Sequence, residues 1–338
     1  MRKPDEPVLL RAPILKCHIG RRTALVTMLY VSASAFAQTY PAKPVRIIVG
    51  FSPGGIADVT VRLIAPKLSE SLGQQIIVEN RPGASGAIAT ERVASSSADG
   101  YTLLAPTAAD AVIPVLRAKL PYKLERDLAA VSLVAVAPFV LVVHPAVPAR
   151  SVKELIALAR AQPGKLSYGS VGIGTTPHLS VEALKVMAGI NILHVPFKGG
   201  LDNVIANASG LVDMVCASIP SLLPFISAGA QRLRPLAVTS AQRTALMPAL
   251  PTLSESGVPG YERSSWVGIL APAGVPRDII ATLNAALVKV VNTAEMKATF
   301  VRQGVEAQTN SPEQFAAYIA THLEQNAKLI RAIGLKPE

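Results

Sequence analysis

Cysteine is nearly missing from this 338-residue chain, which has only Cys17 and Cys216. Cys17 falls in the leader segment described below, so Cys216 alone would remain, and a lone thiol closes no internal disulfide. No small-residue lipobox precedes Cys17, which argues against a lipid anchor. Cys216 sits in an apolar run and reads as a buried, inert thiol. Aromatic residues make up 4% and charged residues 16%, so any core must be mostly aliphatic and rich in alanine. No uninterrupted apolar run reaches the ~18 residues a membrane-spanning helix needs. Yet half of the chain is hydrophobic and its mean hydropathy is +0.38. That excludes disorder as a general description and points to a large buried α/β interior. The length corresponds to about two ordinary domains.

Motifs that carry chemistry are equally scarce. There is no G-x-S-x-G, H-E-x-x-H, C-x-x-C or Walker A pattern, and Gly172-Ile-Gly174-Thr-Thr-Pro177 misses a dinucleotide fingerprint at its last glycine. Of the histidines, His18 is in the leader, while His144, His178, His194 and His322 lie on different predicted elements without ligand spacing. No metal, no cofactor and no catalytic residue is therefore expected. His144 and His322 read as surface or hydrogen-bonded structural imidazoles; His178 stands between that reading and a site. The net charge is +11, but the basic residues are scattered singly, without aromatic interleaving. That argues against a nucleic-acid surface and is compatible with an anionic ligand.

The N-terminus has the pattern of a secretion signal over residues 1–37. Arg2, Lys3, Arg11, Lys16, Arg21 and Arg22 form a long basic region, Ala24 to Val31 is apolar, and Ala35-Phe36-Ala37 fits a signal-peptidase site. The expected mature chain starts at Gln38 and is periplasmic. From there strands alternate with helices. Val45–Val49 is a continuous β-branched run of the kind buried on both faces. Val61, Ile64, Leu68 and Leu72 follow at helical spacing, with Pro66 expected to bend the helix. Further strands are predicted at 75–79, 101–105, within 131–143 with an interruption at Pro138, and at 166–168, 192–197, 212–216 and 236–239. A turn is predicted at Pro220. Ser151-Val-Lys-Glu154 and Ser311-Pro312-Glu313-Gln314 carry capping-box signatures for helices, and three helices are expected after the strand near Trp266. Such alternation implies parallel sheets flanked by helices.

Two small-residue loops remain as candidates for a site. They are Phe51-Ser-Pro-Gly-Gly-Ile-Ala-Asp58 and Ser170-Val-Gly-Ile-Gly-Thr-Thr-Pro-His178. Each lies between a predicted strand and a helix. Glycine lets the backbone approach a ligand closely, and the free N–H groups of a helix N-terminus favour an anion. Ser52, Ser170, Thr175 and Thr176 add hydroxyl donors. Each loop alone also reads as an ordinary tight turn; two in separate halves of one chain point to a cleft beyond the strand ends. Asp58 reads mainly as a first-turn acid, with a ligand amine as its alternative partner. Lys198 reads as a carboxylate partner or a solvated lysine.

In order along the chain, YPAKPVRIIVGFSPGG, VENRPGASG, ADGYTLL, SVKELIALA, SYGSVGIGT, HVPFKGG, PTLSESGVPGYE, SSWVGILAPAGVP and SPEQFAAYI resemble the Bug (TctC-like) substrate-binding family of the tripartite tricarboxylate transporters. The resemblance implies a type II periplasmic-binding fold: two α/β lobes with mainly parallel sheets, a ligand cleft between them, and C-terminal helices that return to the first lobe. Lobe 1 is expected over 38–140 plus 265–338, and lobe 2 over 141–264. A small carboxylate would be held by Ser52, Pro53, Gly54, Gly55 and Asp58 of one loop and Ser170, Gly172, Gly174, Thr175, Thr176 and His178 of the other. Thr107, Phe197, Lys198 and Ser218 would stand around them. The protein would be a monomer and deliver its ligand to the membrane subunits of a transporter. Ser52 stands where the family pattern often has a second proline, while Ile173, Phe197, Ala217-Ser218 and Thr107-Ala108-Ala109 are less polar than the family pattern, which suggests a ligand less polar than citrate. The competing readings are a ligand-sensing partner of a signalling system, which would share fold and site, and an enzyme, which would need a serine or cysteine paired with His178 in the cleft.

Overall fold

The computed structural model describes residues 40–117, 119–197, 199–226 and 232–336. The expected leader and Lys198 lie outside them. The chain from Pro41 forms one unit. It opens with β1 (Val45–Val49), α1 (Ile56–Leu72), β2 (Ile76–Asn80), α2 (Ala87–Ala94) and β3 (Thr102–Ala105). Two one-turn helices, α3 (Ile113–Leu116) and α4 (Leu124–Asp127), lead into the long strand β4 (Leu128–Val143). Next come α5 (Val152–Ala161), β5 (Ser167–Ser170), α6 (Thr176–Ala188), β6 (Leu193–Pro196), α7 (Gly200–Ala208), β7 (Met214–Ser218), α8 (Ile219–Ile226) and β8 (Arg234–Val238). The last elements are β9 (Ser264–Pro272), α9 (Arg277–Val291), α10 (Ala294–Arg302), β10 (Glu306–Ala307) and α11 (Pro312–Ala332). No single described helix is long and apolar enough to cross a membrane.

The strands run in the order β2-β1-β3-β9-β4-β7-β5-β6, with β8 and β10 each added to β4. The outer pairings, β1 with β2 and β3 and β5 with β6 and β7, are parallel as the alternation predicts. The middle is antiparallel: β9 lies against β3 and β4, and β4 against β7 and β8. Pro138 was expected to interrupt a strand. Instead β4 continues through it and changes partners there. Leu128–Pro138 pair with β9, while Phe139–Val143 pair with β7 and β8. A residue without an N–H is tolerated where one ladder ends and another begins.

β4 alternates in the second half as period-two geometry requires. Leu141 and Val143 face a core with Leu155, Tyr168 and Leu184, whereas Val140 and Val142 face one with Val204, Ile219 and Leu222. The first half has its own core of Ile48, Leu104, Leu133, Trp266 and Phe315. Helix α11 touches both halves: Phe315 and Ile319 enter the first core, Leu329 and Ile330 the second. Its capping box at Ser311 and Gln314 forms as expected. At α5 only half of the box is present, because Glu154 accepts from Arg150 N rather than from Ser151 N. The expected turn at Pro220 is the first turn of α8, where a proline at the second position costs no helical bond. Helix α1 runs unbroken through Pro66, which lies on its exposed face.

Candidate ligand cleft

The first loop runs from the C-terminal end of β1 into α1. Gly54 takes φ +83°, a left-handed conformation that glycine accepts without strain. Asp58 ties the loop down. Its carboxylate accepts from Gly54 N at 2.9 Å, Arg62 Nε at 2.8 Å and Asn80 Nδ2 at 2.9 Å, and Asn80 Nδ2 also donates to Phe51 O at 3.0 Å. Burial raises the Asp58 pKa, but the bonds from Gly54, Asn80 and Arg62 outweigh it and hold the group below the ordinary carboxylate value. Asp58 is thus the first-turn brace its position suggests, with its oxygens already occupied. Ser52, Pro53 and Gly54 stay exposed.

The second loop leaves β5 for α6. Ser170 is fully buried, and its Oγ lies 2.7 Å from His194 Nε2 and accepts from Gly172 N at 3.1 Å. Thr175 Oγ1 donates to Gly172 O at 2.7 Å, and Gly174 N donates to His178 Nδ1 at 3.3 Å. Gly172 and Gly174 take φ +121° and +79°. Behind the loop, the His178 ring lies 4.5 Å from that of His194, which stacks on Tyr168. Tyr168 Oη donates to Glu182 at 2.5 Å, and Lys185 Nζ to the same oxygen at 2.6 Å. Burial, and then the neighbouring His194, push the His178 pKa down to about 4; burial lowers His194 as well. Both imidazoles are neutral at pH 7.

The residues placed around the loops divide. The Thr107 hydroxyl and N–H both donate to Asp110 Oδ2, so they brace a turn. Asp110 is buried, and burial raises its pKa to about 6 against the bonds from Thr107 and Thr90. Phe197, partly buried, packs over Gly169 and against the core beneath α7. Ser218 shares a hydrogen bond with Ser221 at 3.0 Å. Thr176 lines a small void between the two halves, together with Ala108, Val112, Leu179, Arg263, Ser264, His322 and Asn326. At Gly174 an added Cβ would meet Leu116 Cδ1 at 2.7 Å. The void is lined by none of Ser52–Gly55. Sequence reading missed Arg263, His322 and Asn326. Arg263, which directly follows Glu262 before an apolar strand, carries no distinguishing signal in the sequence; His322 was read as structural.

The helix ends above the loops share one property. The N-cap of α1 is Gly55 and that of α6 is Thr175, and neither gives a side-chain cap. The first-turn N–H groups that such a cap would satisfy are left for another acceptor. A family model described as the Tripartite tricarboxylate transporter family receptor, TctC, matches residues 60–335. The chain belongs to this family. TctC proteins are solute-binding proteins of the periplasm rather than enzymes, and the α/β architecture matches their solved structures. The chain is 36% identical to Protein BugT of Bordetella pertussis over 308 residues, 90% of this chain and 94% of that one. It is 35% identical to Rpa4515 of R. palustris, solved with adipate, with TM-score 0.73 over 88% of this chain and 100% of that one. MatC (Rpa3494) from Rhodopseudomonas palustris, solved with malate, is 27% identical with TM-score 0.68 over 86% and 100%.

Proposed function

We propose that this TctC-family protein is exported through the signal at 1–37, captures a small carboxylate between two lobes, and hands it to the membrane subunits of a tripartite transporter. The observation that carries the reading is the pair of uncapped helix N-termini, each preceded by a loop with positive-φ glycine, Gly54 in the first and Gly172 and Gly174 in the second. Such ends offer N–H groups and a favourable dipole to an anion. The carboxylates bound by Rpa4515 and MatC support the ligand class. Lobe 1 is taken as 38–140 plus 265–338 and lobe 2 as 141–264, hinged on β4 and β9. Ligand contacts made only in the closed form shift the population toward closure. The buried state of Ser170 supports binding over catalysis, because its hydroxyl, although close to His194, is not presented to a substrate. Ile173, 63% exposed on the second loop, favours a carboxylate with an apolar body over citrate.

The test is a thermal-shift screen of protein purified from the periplasm and stripped of ligand, against mono-, di- and tricarboxylates and amino acids. A ligand at ~100 times its Kd should add about 2.7 kcal/mol. Tighter binding of citrate than of any mono- or dicarboxylate would refute the apolar preference, and silence across the panel would refute the carboxylate reading.

A further inference from the structure

Arg263 stands just before β9 and is only 8% exposed. Its Nη1 donates to Asn326 Oδ1 at 2.6 Å, and Asn326 Nδ2 donates to Ala111 O at 2.9 Å. No acidic side chain among the described residues pairs with this guanidinium. Among those residues its other guanidinium nitrogens have no acceptor, and they keep some contact with solvent rather than being sealed in. His322 lies on the same void and stays neutral, since burial and then the charge of Arg263 push its pKa down to about 4. The nearby Tyr261 hydroxyl is spent on Ser180 O at 2.7 Å. A guanidinium remains charged at any working pH, and a buried charge without a counter-ion is costly.

The surroundings show what would offset that cost. The void bordered by Arg263 has Ala108 and Val112 on one side and Thr176 and Leu179 on the other. It therefore lies between the 107–110 turn and the uncapped N-terminus of α6. Two independent features that favour an anion, a largely buried arginine without an acidic partner and an uncapped helix end, line one void.

We propose that Arg263 is the counter-ion for the ligand carboxylate, seating it at the inner end of the cleft between Ala108 and Thr176. This rests on the carboxylate-binding reading and narrows it. Two parallel N–H bonds from a guanidinium suit a planar carboxylate. Val112 and Leu179 then wall its carbon body, and the single cation selects against ligands carrying several charges at that end. Opening between α6 and the 107–110 turn admits the ligand, and closure returns the α6 terminus onto it.

The experiment uses the whole protein as exported, with Arg263→Gln and Arg263→Lys beside the wild type. Acetate, benzoate, malate and adipate are titrated by calorimetry, and the ligand-free melting points are recorded. The tightest wild-type ligand should lose at least about 30-fold in affinity with Arg263→Gln and recover in part with Arg263→Lys. The ligand-free Arg263→Gln protein should melt no lower than wild type, because it sheds an uncompensated charge; a large drop would mark Arg263 as purely structural. In the wild type, ligand binding should raise the His322 pKa in an NMR titration, a readout that does not depend on a variant folding. Unchanged affinity in Arg263→Gln, or an unmoved His322, overturns the role of Arg263 and leaves the carboxylate reading standing. Silence of the wild type toward all four acids overturns both.

Discussion

Both glycine loops leave a strand and run into a helix without a side-chain cap, but the first is held by ions and the second by neutral rings. Residues 51–58 hang on the Asp58 carboxylate, which gathers Gly54, Arg62 and Asn80. Residues 170–178 rest on Ser170, His178 and His194. The first brace faces water through the half-exposed Arg62; the second is enclosed. The two should therefore fail under different conditions. Asp58 has a lowered folded pKa, so its contribution is present above pH ~3.8 and is lost only as pH falls through the folded value. His178 is lowered to about 4, so the unfolded chain gains its proton first. Its contribution is complete above the unfolded pKa of ~6.5 and drains away as pH falls toward 4. Asp110 opposes this trend. Raised to about 6, it contributes stability below pH ~3.8 that is lost as pH rises through 6.

The sharpest way to break the comparison is steric. Gly174→Val would drive a side chain at Leu116 from a left-handed backbone, whereas Gly54→Val meets strain alone, with nothing within 4 Å. Ligand affinity should fall about 100-fold or more in the first and clearly less in the second, because a misplaced group of about 1 Å has that scale of cost; equal losses would show that the loops are interchangeable. Next comes acid. From pH 7 to 4.5, His178→Asn, which keeps an acceptor for Gly174 N, should lose about 3 kcal/mol less stability than the wild type, because His322, lowered to the same extent, titrates alike in both proteins. Denaturant melts across that range measure it, and parallel curves would remove His178 from the brace. The smallest effect belongs to Asp58→Asn at pH 7, about 1–2 kcal/mol from weakening charged hydrogen bonds. Added salt should reduce that difference, and an effect insensitive to salt would mean the first loop is not held by charge.

Much of the fold was legible because it is local. Val45–Val49 and the Ser311 cap signal themselves through side-chain chemistry within a few residues. The one-turn helices α3 and α4 and the two-residue β10 are too short to carry a period and are defined by tertiary pairing, as Glu306 and Ala307 are by Val136 and Ala135. Pro220 was misread because proline both breaks a helix and starts one. At the site, the glycine loops could be located, but the direction of a side chain could not. Thr107 turns to Asp110 and Phe197 turns to the core. Arg263 carries no local motif; its isolation appears only when α11, some 60 residues later, brings Asn326 and His322 beside it.

The exchange of partners along β4 also constrains how the protein is made. Leu128 pairs with Pro272, Pro138 with Ser264, and the first core closes only when Trp266 and Phe315 arrive. Pairings that join residues more than 100 positions apart form slowly, because loop closure precedes any reward. During synthesis the N-terminal strands must wait for nearly the whole chain before their sheet is complete. A nascent chain that stays unsealed for so long exposes its unpaired strand edges until synthesis is almost complete.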